Sequence, residues 1–331
     1  MSTPKASRPR RLRAVVGVLA LALLSALLAE KVAVILNPEP AVGHWKSDEG
    51  QRRYTRAYDE LMGTLPAPSA TRDVTTSWGT IHVLRWDGSA SGPPVVLLPG
   101  HSSGAPMWAE NLPGWIGQRT VYALDPLGDA GLNSQRLPLR SVDDQASWID
   151  ETLRELGVSR AHVVGHSFGG ATAAILALRR PDRVATLTLL EPVFAIRPVP
   201  ASTFFWLTLT QLPVPRSWKD RAFAEVGGTT VAEVQQRTPM TEMIDAAAAH
   251  YATALPLPRT LSDDEWRSLR MPVRVDLGGK ASLSGDGAAD RIRALLPGAS
   301  VVVWPDATHS LPMQEKDRLD LELLAFWAAH S

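Results

Sequence analysis

The 331-residue sequence has no cysteine. That excludes disulfides, a thiolate nucleophile and cysteine-ligated zinc, and it leaves the redox state of the compartment open. There is no excess charge of either sign, since 34 Lys and Arg face 34 Asp and Glu. The balance argues against a whole-surface attraction to nucleic acid, although a local basic patch would escape it. There is also no internal repeat and no long low-complexity tract. A content of 45% hydrophobic and 21% charged residues is that of a globular protein, too apolar for a disordered one. The length implies one large domain, or a core carrying an insertion.

The first residues stand apart. Lys5, Arg8, Arg10, Arg11 and Arg13 form a basic head without an acidic residue, and 14–29 is apolar apart from Gly17 and Ser25. Sixteen helical residues span only about 24 Å of a hydrocarbon core near 30 Å. Extension through Glu30, Lys31 and Val32–Leu36 brings the run to 23 residues, with the two charges at the outer interface. The expectation is a cytoplasmic tail (1–13), a single transmembrane anchor (14–36) and everything beyond on the extracytoplasmic side. The competing reading is a cleaved signal and a secreted protein. It is weakened by Leu27 at position −3 of a cut after Ala29.

Beyond a juxtamembrane stretch (37–72), whose 44–65 portion reads as a helix, the pattern alternates. Val74–Trp78 and Thr80–Trp86 flank Gly79 like an antiparallel hairpin. Val95–Leu98, Thr120–Leu124, Ala161–Val164, Val184–Leu190, Val273–Leu277 and Ser300–Trp304 are short apolar runs of the kind buried on both faces of a parallel sheet. Helices are expected over Met107–Gln118, Ser141–Leu156, Phe168–Arg179 and Gln314–Ala329. In the second, Val142, Ala146, Ile149, Leu153 and Leu156 share one stripe. The fold class is therefore α/β, with a mostly parallel, doubly wound sheet. Residues 73–193 and 270–331 form the core. Between them 194–269, rich in proline and without a recognisable strand, reads as a helical cap that includes Ser202–Leu212 and Thr241–Ala254.

Gly165-His166-Ser167-Phe168-Gly169 follows one of these strands and opens a helix. This is the G-x-S-x-G elbow in its strand–turn–helix setting, where a strained turn lifts a serine hydroxyl into the open. The bland alternative is a serine capping an ordinary helix. A serine needs a base. Of eight histidines, His309 is best placed, just past the last strand and so at a carboxyl strand end like Ser167. His166 reads as packing, and Asp125 and Asp129 as loop braces.

These features together, with Pro99-Gly100-His101, Asp125-Pro126-Leu127-Gly128 and the helical insertion, resemble the α/β-hydrolase superfamily, most closely its serine esterase and haloperoxidase-like branch. The resemblance covers about residues 73–331 and implies a Ser–acid–His triad in that chain order. The sequence departs from the pattern at the acid. The usual site after the penultimate strand is Ala281, within Leu277-Gly278-Gly279-Lys280-Ala281-Ser282. The acid expected instead is Glu191, at the carboxyl end of Val184–Leu190, with Asp286 as the alternative. Asp276 lies within a strand and reads as structurally paired. The resemblance also implies an oxyanion hole built from the backbone N–H groups of Phe168 and His101, with Ser102 and Ser103 near the entry.

The function expected is hydrolysis of small carboxylic esters through an acyl-enzyme, without metal or organic cofactor. Phe204, Phe205, Trp206, Leu207 and Leu209 suggest an apolar substrate if part of that stripe faces the serine. A cofactor-free perhydrolase or haloperoxidase, or a peptidase or lactonase, would use the same triad. A binding protein that has lost its acid is the non-enzymatic rival, and Ala281 is its main support.

Overall fold

The computed structural model describes residues 41–331 other than Pro213, together with Ala22, Ser25 and Ala26. The expected tail (1–13) and, apart from those three residues, the expected anchor (14–36) lie outside the described residues. Among the described residues no helix is long and apolar enough to cross a membrane.

The strands are β1 (His44–Trp45), β2 (Ala70–Thr75), β3 (Gly79–Trp86), β4 (Val95–Leu98), β5 (Val121–Leu124), β6 (Ser134–Gln135), β7 (Ala161–His166), β8 (Val184–Leu190), β9 (Tyr251–Ala252), β10 (Val273–Gly278) and β11 (Ser300–Trp304). Nine of them form one sheet in the order β11-β10-β8-β7-β4-β5-β3-β2, with β6 beside β3. From β5 to β11 every pairing is parallel, whereas β2, β3 and β6 are antiparallel. Strand side chains alternate between the two faces of such a sheet. Val95, Leu97 and Val164 accordingly enter one apolar layer, and Val96, Leu98 and Val163 the other.

Helices cover both layers, which is why the parallel strands read as unbroken apolar runs. On the first lie α1 (Asp48–Met62), α2 (Leu112–Trp115) and α12 (Lys316–Ala328), through Tyr54, Tyr58, Trp115 and Trp327. On the second lie α3 (Asp143–Glu155), α4 (Phe168–Arg179), α9 (Asp263–Arg267) and α10 (Ala288–Leu295), through Ile149, Leu176, Trp266 and Ile292. The stripe expected on α3 is there: Ala146, Ile149 and Leu153 are buried, with Val142 and Leu156 packed at its ends.

Several expectations need correction. The helix expected over Met107–Gln118 is a 3₁₀ turn (Ala105–Glu110) followed by the single turn α2, because Pro113 has no N–H with which to continue a helix. The final helix runs within its expected bounds as α12, preceded by a separate single turn, α11 (Leu311–Gln314). The excursion that leaves at Ala195 and returns at Leu261, where Leu261 N–H donates to Ala195 O over 3.0 Å, contains α5 (Ala201–Gln211), α6 (Arg216–Gly227), α7 (Val231–Val234) and α8 (Pro239–His250). It also contains a strand, contrary to expectation: β9 pairs with β1 from the far end of the chain. Arg53 of α1 then bonds Glu242 (2.6 Å) and Asp245 (2.7 Å) of α8.

Asp276 is structural, as its position in a strand suggested. It takes two hydrogen bonds from Arg274 (2.7 and 2.8 Å) and one from Trp304 Nε1 (3.0 Å). Asp320 of α12 is a different case. Asn111 donates to it over 2.9 Å, but burial outweighs that bond and lifts its carboxyl to about 7. An acid whose folded pKa is raised contributes stability below its unfolded pKa, and that contribution is lost as pH rises through the folded value. Urea midpoints should thus fall between pH 5 and pH 8 by the equivalent of about 2 kcal/mol, after discounting for partial solvent access. Asp320→Asn should flatten that dependence, and an unchanged slope would refute the assignment.

Candidate active site

The sharp turn between β7 and α4 is possible only because two side chains are missing. A Cβ on Gly165 would lie 2.2 Å from Gly169 O, and one on Gly169 would lie 2.2 Å from Leu98 O. Ser167, at the tip, has φ 54° and ψ −117°, outside the regions open to most L-residues. Its N–H donates to Leu190 O over 3.0 Å, so the turn is tied to the end of β8.

His309 reaches it from the loop after β11, with Nε2 2.9 Å from Ser167 Oγ. The loop is held from several sides. Lys280 N–H donates to Ala307 O (3.0 Å) and Thr308 N–H to Gln314 Oε1 (2.8 Å). His166 Nε2 donates to the carbonyl of His309 itself (2.9 Å). His166, expected only to pack, is therefore a brace. Its ring lies 4.8 Å from that of His309, and burial, with the neighbouring His309, pulls its pKa down to about 3. Above that value it is a neutral donor.

The carboxylate on the other side of His309 is that of Glu191, at the end of β8. His309 Nδ1 lies 3.3 Å from Glu191 Oε2. With Nδ1–H directed at a carboxylate, Nε2 is left to accept from the serine. Glu191 is fully buried and has three further donors: Gly278 N–H (2.6 Å), Ser282 Oγ (2.8 Å) and Leu283 N–H (2.9 Å). The loop carrying Ala281 thus supplies donors where the resemblance implied the acid. Asp286 is exposed and is not brought to His309.

The N–H groups of Phe168 and His101 make no hydrogen bond among the described residues. Phe168 follows Ser167 directly, and a Cβ on Gly100, the residue before His101, would lie 3.4 Å from Ser167 Cβ. The loop that presents His101 is fastened by the two aspartates expected to brace it. Asp129 accepts from Ser102 N–H (2.7 Å) and Ala130 N–H (2.8 Å), and Asp125 from Ala105 N–H (2.8 Å) and Leu132 N–H (2.7 Å). Ser102 and Ser103 are buried instead of lining an entry. Ser103 Oγ donates to Gly100 O, and Ser102 Oγ bonds His101 Nδ1, each over 2.8 Å.

Among the described residues, the non-glycine positions with left-handed φ are Ser102 (64°), Ser167 (54°), Glu191 (49°) and Phe194 (61°). Each such residue costs on the order of 1–3 kcal/mol, and such strain collects at functional sites. Sequence reasoning had no signal for Phe194 or for the donor Ser282. For His166, its place inside the elbow was the only clue.

A buried serine–histidine–carboxylate line on an elbow of this sheet defines a class of enzyme. Residues 95–320 match the alpha/beta hydrolase family, and the chain belongs to that family. It is 25% identical over 280 residues to Carboxylesterase YbfK of Bacillus subtilis, covering 84% of this chain and 94% of that protein. It is also 25% identical over 287 residues to a second protein of that organism, Uncharacterized carboxylesterase nap, covering 86% and 95%. The crystal structure of carboxylesterase CesB (YbfK) shares the fold with a TM-score of 0.74 at 22% identity, over 85% of this chain and 99% of that one.

Proposed function

We propose that this enzyme is a serine carboxylesterase working through an acyl-enzyme. The observation that carries the reading is the 2.9 Å contact between Ser167 Oγ and His309 Nε2, with Glu191 on the other imidazole nitrogen. Ser167 Oγ attacks the ester carbonyl while His309 takes its proton. The oxyanion is met by the N–H groups of Phe168 and His101, each worth about 3–4 kcal/mol in the transition state. His309 then returns the proton to the departing alcohol, and water repeats the sequence on the acyl-serine. Glu191 holds the tautomer and stabilises the imidazolium. The carboxylesterase relatives support an ester substrate. The apolar cluster of Phe194, Phe204 and Leu207 with Phe168, the residue after the serine, supports an apolar one.

The basic head and the apolar run 14–36 support a single-pass protein with its catalytic domain outside the cytoplasm, so esters that partition near a bilayer are the substrates we favour. One experiment tests both parts: fluorophosphonate labelling of fractionated cells producing the full chain. A labelled band of full length in the carbonate-washed membranes is expected. An unlabelled protein would overturn the hydrolase reading, and a labelled but soluble band would overturn the anchor.

A further inference from the structure

Of the left-handed positions, Ser102, Ser167 and Glu191 belong to the oxyanion loop, the nucleophile and the acid, but Phe194 has no part in that chemistry. A bulky aromatic residue with φ 61° is an outlier that its surroundings must enforce. Those surroundings can be named. Val193 N–H donates to the carbonyl of Ser167 (3.2 Å) and Ala195 N–H to Val193 O (2.7 Å). Thr260 Oγ1 donates to Phe194 O over 2.8 Å. The strap Glu191–Ala195 is thus tied at one end to the nucleophile's own carbonyl and at the other to the segment where the cap returns to the core.

Held there, the half-buried ring of Phe194 joins Val193, Val199 and Leu283 together with Phe168, Phe204 and Leu207. Phe168 carries one of the two oxyanion N–H groups, and Phe204 and Leu207 belong to α5 of the cap. The ring therefore packs between Phe168, the residue after Ser167, and α5 of the cap. A wall on a free loop yields to a longer substrate. The backbone that carries this one cannot shift without breaking the hydrogen bonds of Val193 to Ser167 and of Thr260 to Phe194.

We propose that Phe194 is the specificity-determining wall that limits the length of the ester's apolar arm, its left-handed strap being the device that keeps the wall rigid. The proposal rests on Ser167 as nucleophile and goes beyond it by assigning a size limit to one residue.

The test compares wild type with Phe194→Ala, Phe194→Leu and Phe194→Gly on two series: p-nitrophenyl esters of lengthening acyl chains, and acetate esters of lengthening alcohols. Labelling by a small fluorophosphonate runs alongside. In one of the two series the kcat/KM ratio of long to short substrates should rise about tenfold for Phe194→Ala, the scale of one or two methylenes in an apolar pocket. The rise should be smaller for Phe194→Leu. Phe194→Gly, which accepts a left-handed φ without strain, should show the alanine profile at an equal or higher melting temperature, and it carries the test if the alanine variant misfolds. Variants that are labelled but keep the wild-type profile in both series would overturn the wall and leave the nucleophile standing. A wild type inert to the probe would overturn both.

Discussion

Replacing Ser167 by alanine is expected to lower kcat for p-nitrophenyl acetate by about 10⁶-fold, and His309→Ala is expected to cost nearly as much. On the proposed mechanism the two side chains act as one unit, the proton of the nucleophile leaving along the 2.9 Å contact between Oγ and Nε2. Without the base the hydroxyl is a weak nucleophile. Without the hydroxyl the base has nothing to deprotonate but water. The double substitution should therefore be no slower than either single one. A residual acceleration of about 10³–10⁴ over water is expected from binding and the oxyanion donors. Initial rates of the three variants decide the matter. Losses that multiply in the double variant, or a Ser167→Ala enzyme within tenfold of wild type, would mean that another group attacks the ester.

Glu191→Gln should lower kcat by about 10⁴-fold with little change in KM, the size of effect seen when a triad acid is made neutral. The reason lies in the four partners of this carboxylate. Gly278 N–H, Ser282 Oγ, Leu283 N–H and His309 Nδ1 all lie within 3.3 Å of its two oxygens. An amide presents an NH₂ to one pair of those donors. If it faces His309, the imidazole adopts the wrong tautomer and Nε2 no longer accepts from Ser167. If it faces Gly278, a buried N–H loses its partner, at a cost of about 1–3 kcal/mol, which a melting curve would register. Asp286→Asn, on an exposed loop, should stay within about twofold of wild type, as surface changes usually do. The reverse ranking of the two variants would move the acid to Asp286.

How much of this was legible beforehand depended on the range of the forces involved. The elbow was readable because its requirements are local. Gly165 faces Gly169 within one turn, so the first need for bare backbone is written into five consecutive residues, although what Gly169 itself must clear, Leu98 O, comes from β4. The parallel strands were readable because burial on both faces leaves a continuous apolar run, as in Val184–Leu190. Two-residue strands such as β1 and β9 have no period to detect. Each exists through its partner, which stands some two hundred residues away. The short helix α10 was passed over because only Ala288, Ile292 and Leu295 mark its buried face.

The site divides along the same line. From the order of residues alone came the α/β class, the nucleophile at 167, a histidine at a strand end, and the recognition that Ala281 leaves the usual acid position empty of charge. Glu191 was already preferred to Asp286 for its place at a strand end, but the partners that distinguish the two came from the folded chain. Both carboxylates lie in plausible stretches of sequence, and what separates them is where the 278–283 loop places its donors and which carboxyl is buried beside His309. The brace from His166 and the pinned ring of Phe194 came from the same source. Turn chemistry acts between neighbours in the chain, whereas hydrogen bonding and burial act between neighbours in space, and packing around the sheet is what makes those neighbours.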